Sequence, residues 1–358
     1  MGGENPVRRK PGAAERRRAA DSADGTRRRH DRRRLRTGPT AGPLAPAGQR
    51  GRPDRQPTTR HHPGAVDGPY RPPAQRLAPR QARRVHRLQR AARAAGIAMP
   101  PPVPPPAPAV GYWHRPDPDA PDVVRVSGWL DGHDLRGPGA GAEAPAATGW
   151  VGRTLARIAR LDTGGGTPEP PHPLAEWQQW VAEAEAGGLP VAAPARALLP
   201  AVADATALVA DAQRTAPAAV LVHGDTSRAN VLRTPDGYAL IDWETARLEV
   251  PWWEAVDVAL RFATPSSSPT VAPDPRTVRP LLTAYLDAGG PPGPADPTAF
   301  AGLLRSQLAF TAWCLWLALG HRAATPEQRA FGLRLVTATA RDLPRVLRSL
   351  AGWTALLR

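Results

Sequence analysis

Residues 1–80 contain only five large aliphatic side chains, Val7, Leu35, Leu44, Val66 and Leu77, and neither Ile nor Phe. So little apolar surface cannot offset the entropy of ordering the segment, roughly 1–2 kcal/mol per residue for the backbone. Any core must come from the rest of the chain. The charge divides at the same place. Residues 1–80 hold Lys10 and 19 arginines against seven acids, a net of +13; the other 278 residues hold 27 basic groups and 25 acids, a net of +2. Runs such as Arg16-Arg17-Arg18 and Arg32-Arg33-Arg34 repel one another and stay solvated, so this head is expected to be disordered.

Lys10 is the sole lysine, leaving 47 − 1 = 46 arginines beside 45 prolines and 33 glycines. A GC-rich coding sequence accounts for such a bias without any function. An arginine-rich arm could also bind nucleic acid through phosphate neutralisation. Tyr70 is, however, the only aromatic residue among the first eighty, so a base-stacking platform is missing and this reading is disfavoured. Cys314, the single cysteine, excludes an intrachain disulfide and fits a reducing compartment. No apolar stretch follows the basic N-terminus, so no signal peptide is expected. The apolar run over 309–320 is shorter than the roughly 20 residues of a membrane span and reads as a core helix. A cytoplasmic protein with no membrane partner is expected. Oligomeric state is not legible.

A first helix is expected over 81–95, from the spacing of Val85, Leu88, Ala91, Ala92 and Ala95, ended by Gly96. Seven prolines then lie between Met99 and Pro108, followed by expected short strands at 110–113 and 122–128. Helices are expected over 148–161, 174–186, 195–214, 252–262, 276–288, 298–320 and 326–349. One β segment interrupts them, with strands at 220–222, 231–233 and 238–241 and a turn at Pro235-Asp236-Gly237. Trp177 and Trp180, and likewise Trp313 and Trp316, recur at three-residue spacing, which favours core packing over a stacking platform for a sugar.

The chemistry lies in Leu221-Val222-His223-Gly224-Asp225-Thr226-Ser227-Arg228-Ala229-Asn230-Val231-Leu232, followed by Ile241-Asp242-Trp243-Glu244. One strand delivers Asp225 into a loop, Asn230 follows five residues on, and a hairpin returns Asp242 at a strand end. Two carboxylates and an amide oxygen at one sheet edge suit Mg²⁺, a hard ion shared with substrate phosphates. A carboxylate free of metal could take the proton of an attacking hydroxyl. Phosphoryl transfer asks little more of a protein than positioning and charge neutralisation.

His-Gly-Asp-x-x-x-x-Asn-x-Leu with a following Ile-Asp-Trp-Glu resembles the signature of the aminoglycoside phosphotransferase and choline-kinase-like family. The resemblance covers roughly residues 85–350. It implies an α+β, protein-kinase-like bilobal fold with a largely α-helical C-lobe, and transfer of the γ-phosphate of ATP or GTP to a hydroxyl of a small-molecule acceptor. By the same resemblance Asp225 would be the catalytic base, Asn230 and Asp242 the Mg²⁺ ligands, and His223 a loop support. Asp257, in Glu254-Ala255-Val256-Asp257-Val258-Ala259, would brace the catalytic loop. Ser127, Gly128 and Trp129 resemble the hinge whose backbone meets the nucleotide base. The family's usual His-Pro is replaced by Ser227-Arg228, which makes Arg228 a candidate phosphate contact. A cationic acceptor would want acids, for which Glu183, Glu185, Glu244, Glu249 and Glu254 are candidates.

The resemblance also implies an N-lobe with a strand lysine and a helix glutamate gripping the nucleotide phosphates. No lysine follows Lys10, and the helix at 81–95 contains no acid. The expected organisation is thus a disordered segment at 1–80, a residual N-lobe and hinge at 81–130, and a helical catalytic C-lobe at 131–358. The N-lobe is incomplete or degenerate. Either the chain is an impaired relative that lost nucleotide binding, or residues 1–80 are out-of-frame text standing where an N-lobe was encoded. A lysine-bearing strand in another frame of the upstream DNA distinguishes the two.

Overall fold

The computed structural model describes residues 79–107, 109–115, 123–136, 140–264, 272–322 and 324–358. The disorder expected over residues 1–80 lies outside the described residues except at Pro79 and Arg80, which open the first helix. Eight α-helices and eight short strands make up the described chain: α1 Pro79–Ala94, α2 Ala140–Ala159, α3 Leu174–Ala186, α4 Ala192–Thr215, α5 Pro251–Ala263, α6 Pro275–Asp287, α7 Ala301–Leu319 and α8 Pro326–Trp353. The strands are β1 Ala109–Val110, β2 Trp113–His114, β3 His133–Asp134, β4 Gly165–Gly166, β5 Ala219–Val222, β6 Val231–Thr234, β7 Gly237–Leu240 and β8 Arg247–Glu249.

The helix ends follow from local chemistry. Thr325 and Gln328 form a reciprocal capping box ahead of α8, with Pro326 at its first position. Asp274 caps α6 by accepting the Arg276 backbone N–H at 2.9 Å, and α7 stops at Gly320 in the left-handed region (φ 81°). Helix α2 starts eight residues before the expected position. Its Ala-rich first turns carry helix propensity but no apolar period to read.

Six of the helices form the main body, with α2 on α6, α5 on α6, α7 on α8 and α4 on α8. The close crossing of α2 and α6 depends on Gly152. A Cβ there would stand 2.3 Å from the Leu281 carbonyl oxygen and 2.9 Å from the Tyr285 nitrogen. Trp177 and Trp180 are buried in the core, as the packing reading expects.

Two expectations need correction. Helix α4 and the run Pro297–Leu319 are each long and apolar enough to cross a membrane, so the apolar run around Cys314 exceeds the 309–320 length read from the sequence. Here these helices are packed into the bundle, with Leu198, Val202, Leu308, Cys314 and Leu315 buried. The strands expected at 110–113 and 122–128 also differ. The first is two residue pairs split by a turn, and the second carries only isolated bridges, Val124 to His114 and Ser127 to Pro102. Proline cannot donate to a ladder, so the Pro-rich partner segment supports no continuous sheet.

Two three-stranded antiparallel sheets position the loops that matter, in orders β4-β5-β8 and β3-β6-β7. Leu221 pairs with Leu248 and Val222 with Arg247 in the first; Val231 pairs with Leu240 in the second. Among the described residues no strand preceding β5 exceeds two residues.

Gly152→Ala should destabilise the protein by about 1–3 kcal/mol through overpacking of α2 against α6, read as a lower midpoint in urea unfolding.

Candidate active site

Strand β5 ends at Val222 and hands the chain to His223, whose ring is fully buried. Its Nε2 lies 2.9 Å from the Ile241 carbonyl oxygen, and the Asp225 backbone N–H donates to Nδ1 at 3.3 Å. One nitrogen must donate and the other accept, so the ring is the neutral Nε2–H form. Burial pushes its pKa down to about 4, which agrees. His223 therefore ties the Asp225 loop to the end of β7, where Asp242 begins.

Gly224 has φ 85°, and a Cβ there would lie 2.3 Å from the Thr245 carbonyl oxygen, so no other residue fits. Its N–H donates to Glu254 Oε1 at 3.1 Å, and its carbonyl accepts from Arg247 Nη1. Arg247 also pairs with Glu254 at 3.2 Å, so one ion pair holds both polar groups of a single peptide residue.

Asp225 is fixed at both oxygens. Oδ2 accepts from Asn230 Nδ2 at 2.8 Å, and Oδ1 lies 3.4 Å from Arg261 Nη1. Asn230 Nδ2 also donates to the Asp225 carbonyl at 2.8 Å, so the amide's nitrogen is committed to Asp225 and its oxygen is left for another partner. The Ile241 N–H donates to the Asn230 carbonyl at 2.9 Å, which sets Asp242 beside that loop. The structure thus brings His223, Asp225, Asn230 and Asp242 together.

Asp242 is the only non-glycine residue with positive φ among those described, at 65°. A hydrogen bond to Glu244, then burial, then the charges of Glu244 and Asp225 push its pKa up to about 8. Burial works on Glu244 in the same direction, but the bond from Asp242 and the charge of Arg125 outweigh it and hold that carboxyl low. One proton is therefore held between the two carboxyls at neutral pH. A crowded, proton-holding carboxylate beside an amide oxygen fits a divalent ion. Among the described residues no group of three or more His, Cys, Asp or Glu is arranged to hold a metal, so an ion here would lean on Asn230, Asp242, water and phosphate. That is the habit of Mg²⁺.

The other expected residues are placed as follows. Asp257 is buried; it takes the fork of Arg261 (Nε to Oδ1 2.8 Å, Nη2 to Oδ2 3.0 Å) and the Ser306 hydroxyl at 3.1 Å. It reaches the Asp225 loop through Arg261, whereas Glu254 contacts the loop backbone itself. Arg228 donates to the Phe262 carbonyl and lies 6.0 Å from that ring's centroid. Ser127 bridges Pro102, the Gly128 N–H donates to the Pro101 carbonyl at 2.8 Å, and Trp129 is 54% exposed.

Of the five acids considered for a cationic acceptor, two are corrected. Glu249 and Glu254 are buried and paired with Arg305 and Arg247, so neither faces an acceptor. Glu183 meets His321 and Glu185 meets Arg196, while Glu244 pairs with Arg125. Sequence reading missed Arg247, Arg261, Arg305 and Ser306 altogether. The Asp257–Arg261 pair had a signal: an acid four residues ahead of a base on a helix.

Two outcomes follow. Arg247→Met leaves the buried Glu254 carboxylate without its cation, while Glu249 keeps Arg305, and should cost about 3–5 kcal/mol, seen in chemical unfolding. Asp242 must lose its proton to ligate a metal, and its raised pKa keeps that proton on at pH 7. Titration of Mg²⁺ with ADP should then release close to one proton at pH 7, fading above about pH 9, as measured by calorimetry in buffers of different ionisation enthalpy.

Comparison with known proteins follows the same lines. A search among curated protein sequences finds no match. The fold is similar to a spectinomycin phosphotransferase solved with ADP and spectinomycin (TM-score 0.52, 13% identity, covering 76% of this chain and 82% of that one). It is also similar to a Plasmodium vivax ethanolamine kinase (TM-score 0.52, 14% identity, covering 78% and 76%). The family model described as the phosphotransferase enzyme family matches residues 70–303, nearly two thirds of the sequence, and takes in every motif above. The chain belongs to that family of kinase-like small-molecule phosphotransferases.

Proposed function

We propose that this protein transfers the γ-phosphate of ATP or GTP to a hydroxyl of a small molecule, with Asp225 as the base. The observation that carries this reading is the single cluster formed by Asp225, Asn230 and Asp242, locked by the Asn230 bond to Asp225 Oδ2. Asp225 orients the acceptor hydroxyl and receives its proton. The Asn230 oxygen and Asp242 would hold Mg²⁺, which when bound neutralises charge on the β- and γ-phosphates. Ser127, Gly128 and Trp129 would border the nucleotide base. The reaction draws on cytoplasmic nucleotide, and Cys314 is a free buried thiol, in keeping with that compartment.

A second reading, a homologue impaired in nucleotide binding, is favoured by the lack of any strand longer than two residues ahead of β5 among the described residues, together with a sequence lacking lysine after Lys10. A nucleotide-binding titration of the full chain decides between the two.

Asp225→Ala should lower kcat by about a hundredfold or more with the fold intact by circular dichroism, assayed as label transfer from γ-labelled ATP to a panel of hydroxyl compounds. Undiminished turnover in that variant would overturn the assignment.

A further inference from the structure

Beside a metal ion, phosphoryl transfer draws on a side-chain cation near the migrating group, and in a sequence whose only lysine is Lys10 the candidates are arginines. Four arginines around the site are committed elsewhere. Arg228 is turned onto the Phe262 carbonyl. Arg125 pairs with Glu244, and its remaining Nη1 is buried. Arg247 and Arg305 are engaged with carboxylates and carbonyls beneath the loop.

Arg261 differs. Its guanidinium is pinned flat by the two bonds to Asp257, itself held by Ser306, and its Nη1 stands 3.4 Å from Asp225 Oδ1. The side chain is 34% exposed. A guanidinium carries five N–H donors. Two go to Asp257 and one points at Asp225, which leaves one on Nη1 and one on Nη2 for an oxygen arriving beside the catalytic carboxylate. Helix α5 thus presents a preorganised, permanently charged fork beside the Asp225 carboxylate.

We propose that Arg261 is the cation of the transfer step, neutralising the phosphoryl group as it passes Asp225. The proposal rests on the phosphotransferase reading above. In the step, the acceptor oxygen forms a bond to the γ-phosphorus as its proton moves to Asp225. The bond from the γ-phosphorus to the β,γ-bridging oxygen breaks, and its electron pair leaves with the nucleoside diphosphate. Negative charge gathers on the non-bridging oxygens, within reach of the two spare N–H groups. The same contact orients the Asp225 carboxylate, with Asp257 as a positioning residue behind it.

The test uses Mg-ATP with water as acceptor, so that no acceptor need be known, and follows nucleotide binding separately with a fluorescent ADP analogue. Arg261→Ala should lower kcat for hydrolysis by about a hundredfold or more while leaving KM for ATP and ADP-analogue affinity within about threefold. Methylguanidinium added to Arg261→Ala should restore part of the rate. Arg261→Lys, which keeps the charge but not the fork, should fall between that variant and the parent. If Arg261→Ala loses its cooperative melting transition, Arg261→Lys carries the test by the same kcat and KM criteria. Parental kcat in either variant overturns the inference and leaves the phosphotransferase reading standing. So does a loss confined to KM, or a lost rate that methylguanidinium does not recover. A parent chain that neither binds the ADP analogue nor hydrolyses ATP overturns both.

Discussion

The contact on which the site depends is the double hold on Gly224. Its N–H and carbonyl are taken by Glu254 and Arg247, two side chains that also pair with each other. Each buried charge would be costly alone, because desolvation penalises an unpaired ion by several kcal/mol. Together they satisfy a turn that no helix or strand could satisfy. The pair reaches outward through Glu249 to Arg305, and through Ser306 to Asp257 and Arg261. Strand β8 and helices α5 and α7 are therefore joined to the Asp225 loop by one charged network.

That arrangement explains why some parts of the molecule were legible in the sequence and others were not. Helix α3 and the hairpin β6–β7 follow from periodicity and a Pro-Asp-Gly turn, which are local signals, and they occur where expected. The cluster of Asp225, Asn230 and Asp242 was legible because the residues lie close in sequence on either side of that hairpin. Strands β3, β4 and β8 were not. Two of them are two residues long and exist only by pairing with β6 or β5, so their cause lies more than thirty residues away. The arginines were hidden for a further reason. In a chain with 46 of them, an arginine on a functional carboxylate looks like any other.

The acids were misread in the opposite sense. Glu249 and Glu254 lie beside the motif in sequence and seemed available to a cationic acceptor, yet both face inward. Their partners, Arg247 and Arg305, come from β8 and α7. Proximity along the chain did not decide which face they took; the location of a compensating charge did.

The left-handed turn at Asp242 has a consequence for how this protein can vary. L-residues in that region carry a penalty of roughly 1–2 kcal/mol, lightest for Asp and Asn and absent for Gly. The residue bearing that penalty also carries a carboxyl whose pKa its neighbours and burial push up to about 8. Glycine at this position relieves both at once. A library of variants sorted only for thermal robustness would therefore enrich substitutions here and discard the carboxyl proposed to hold the metal, so selection on stability and selection on chemistry pull this one residue in opposite directions.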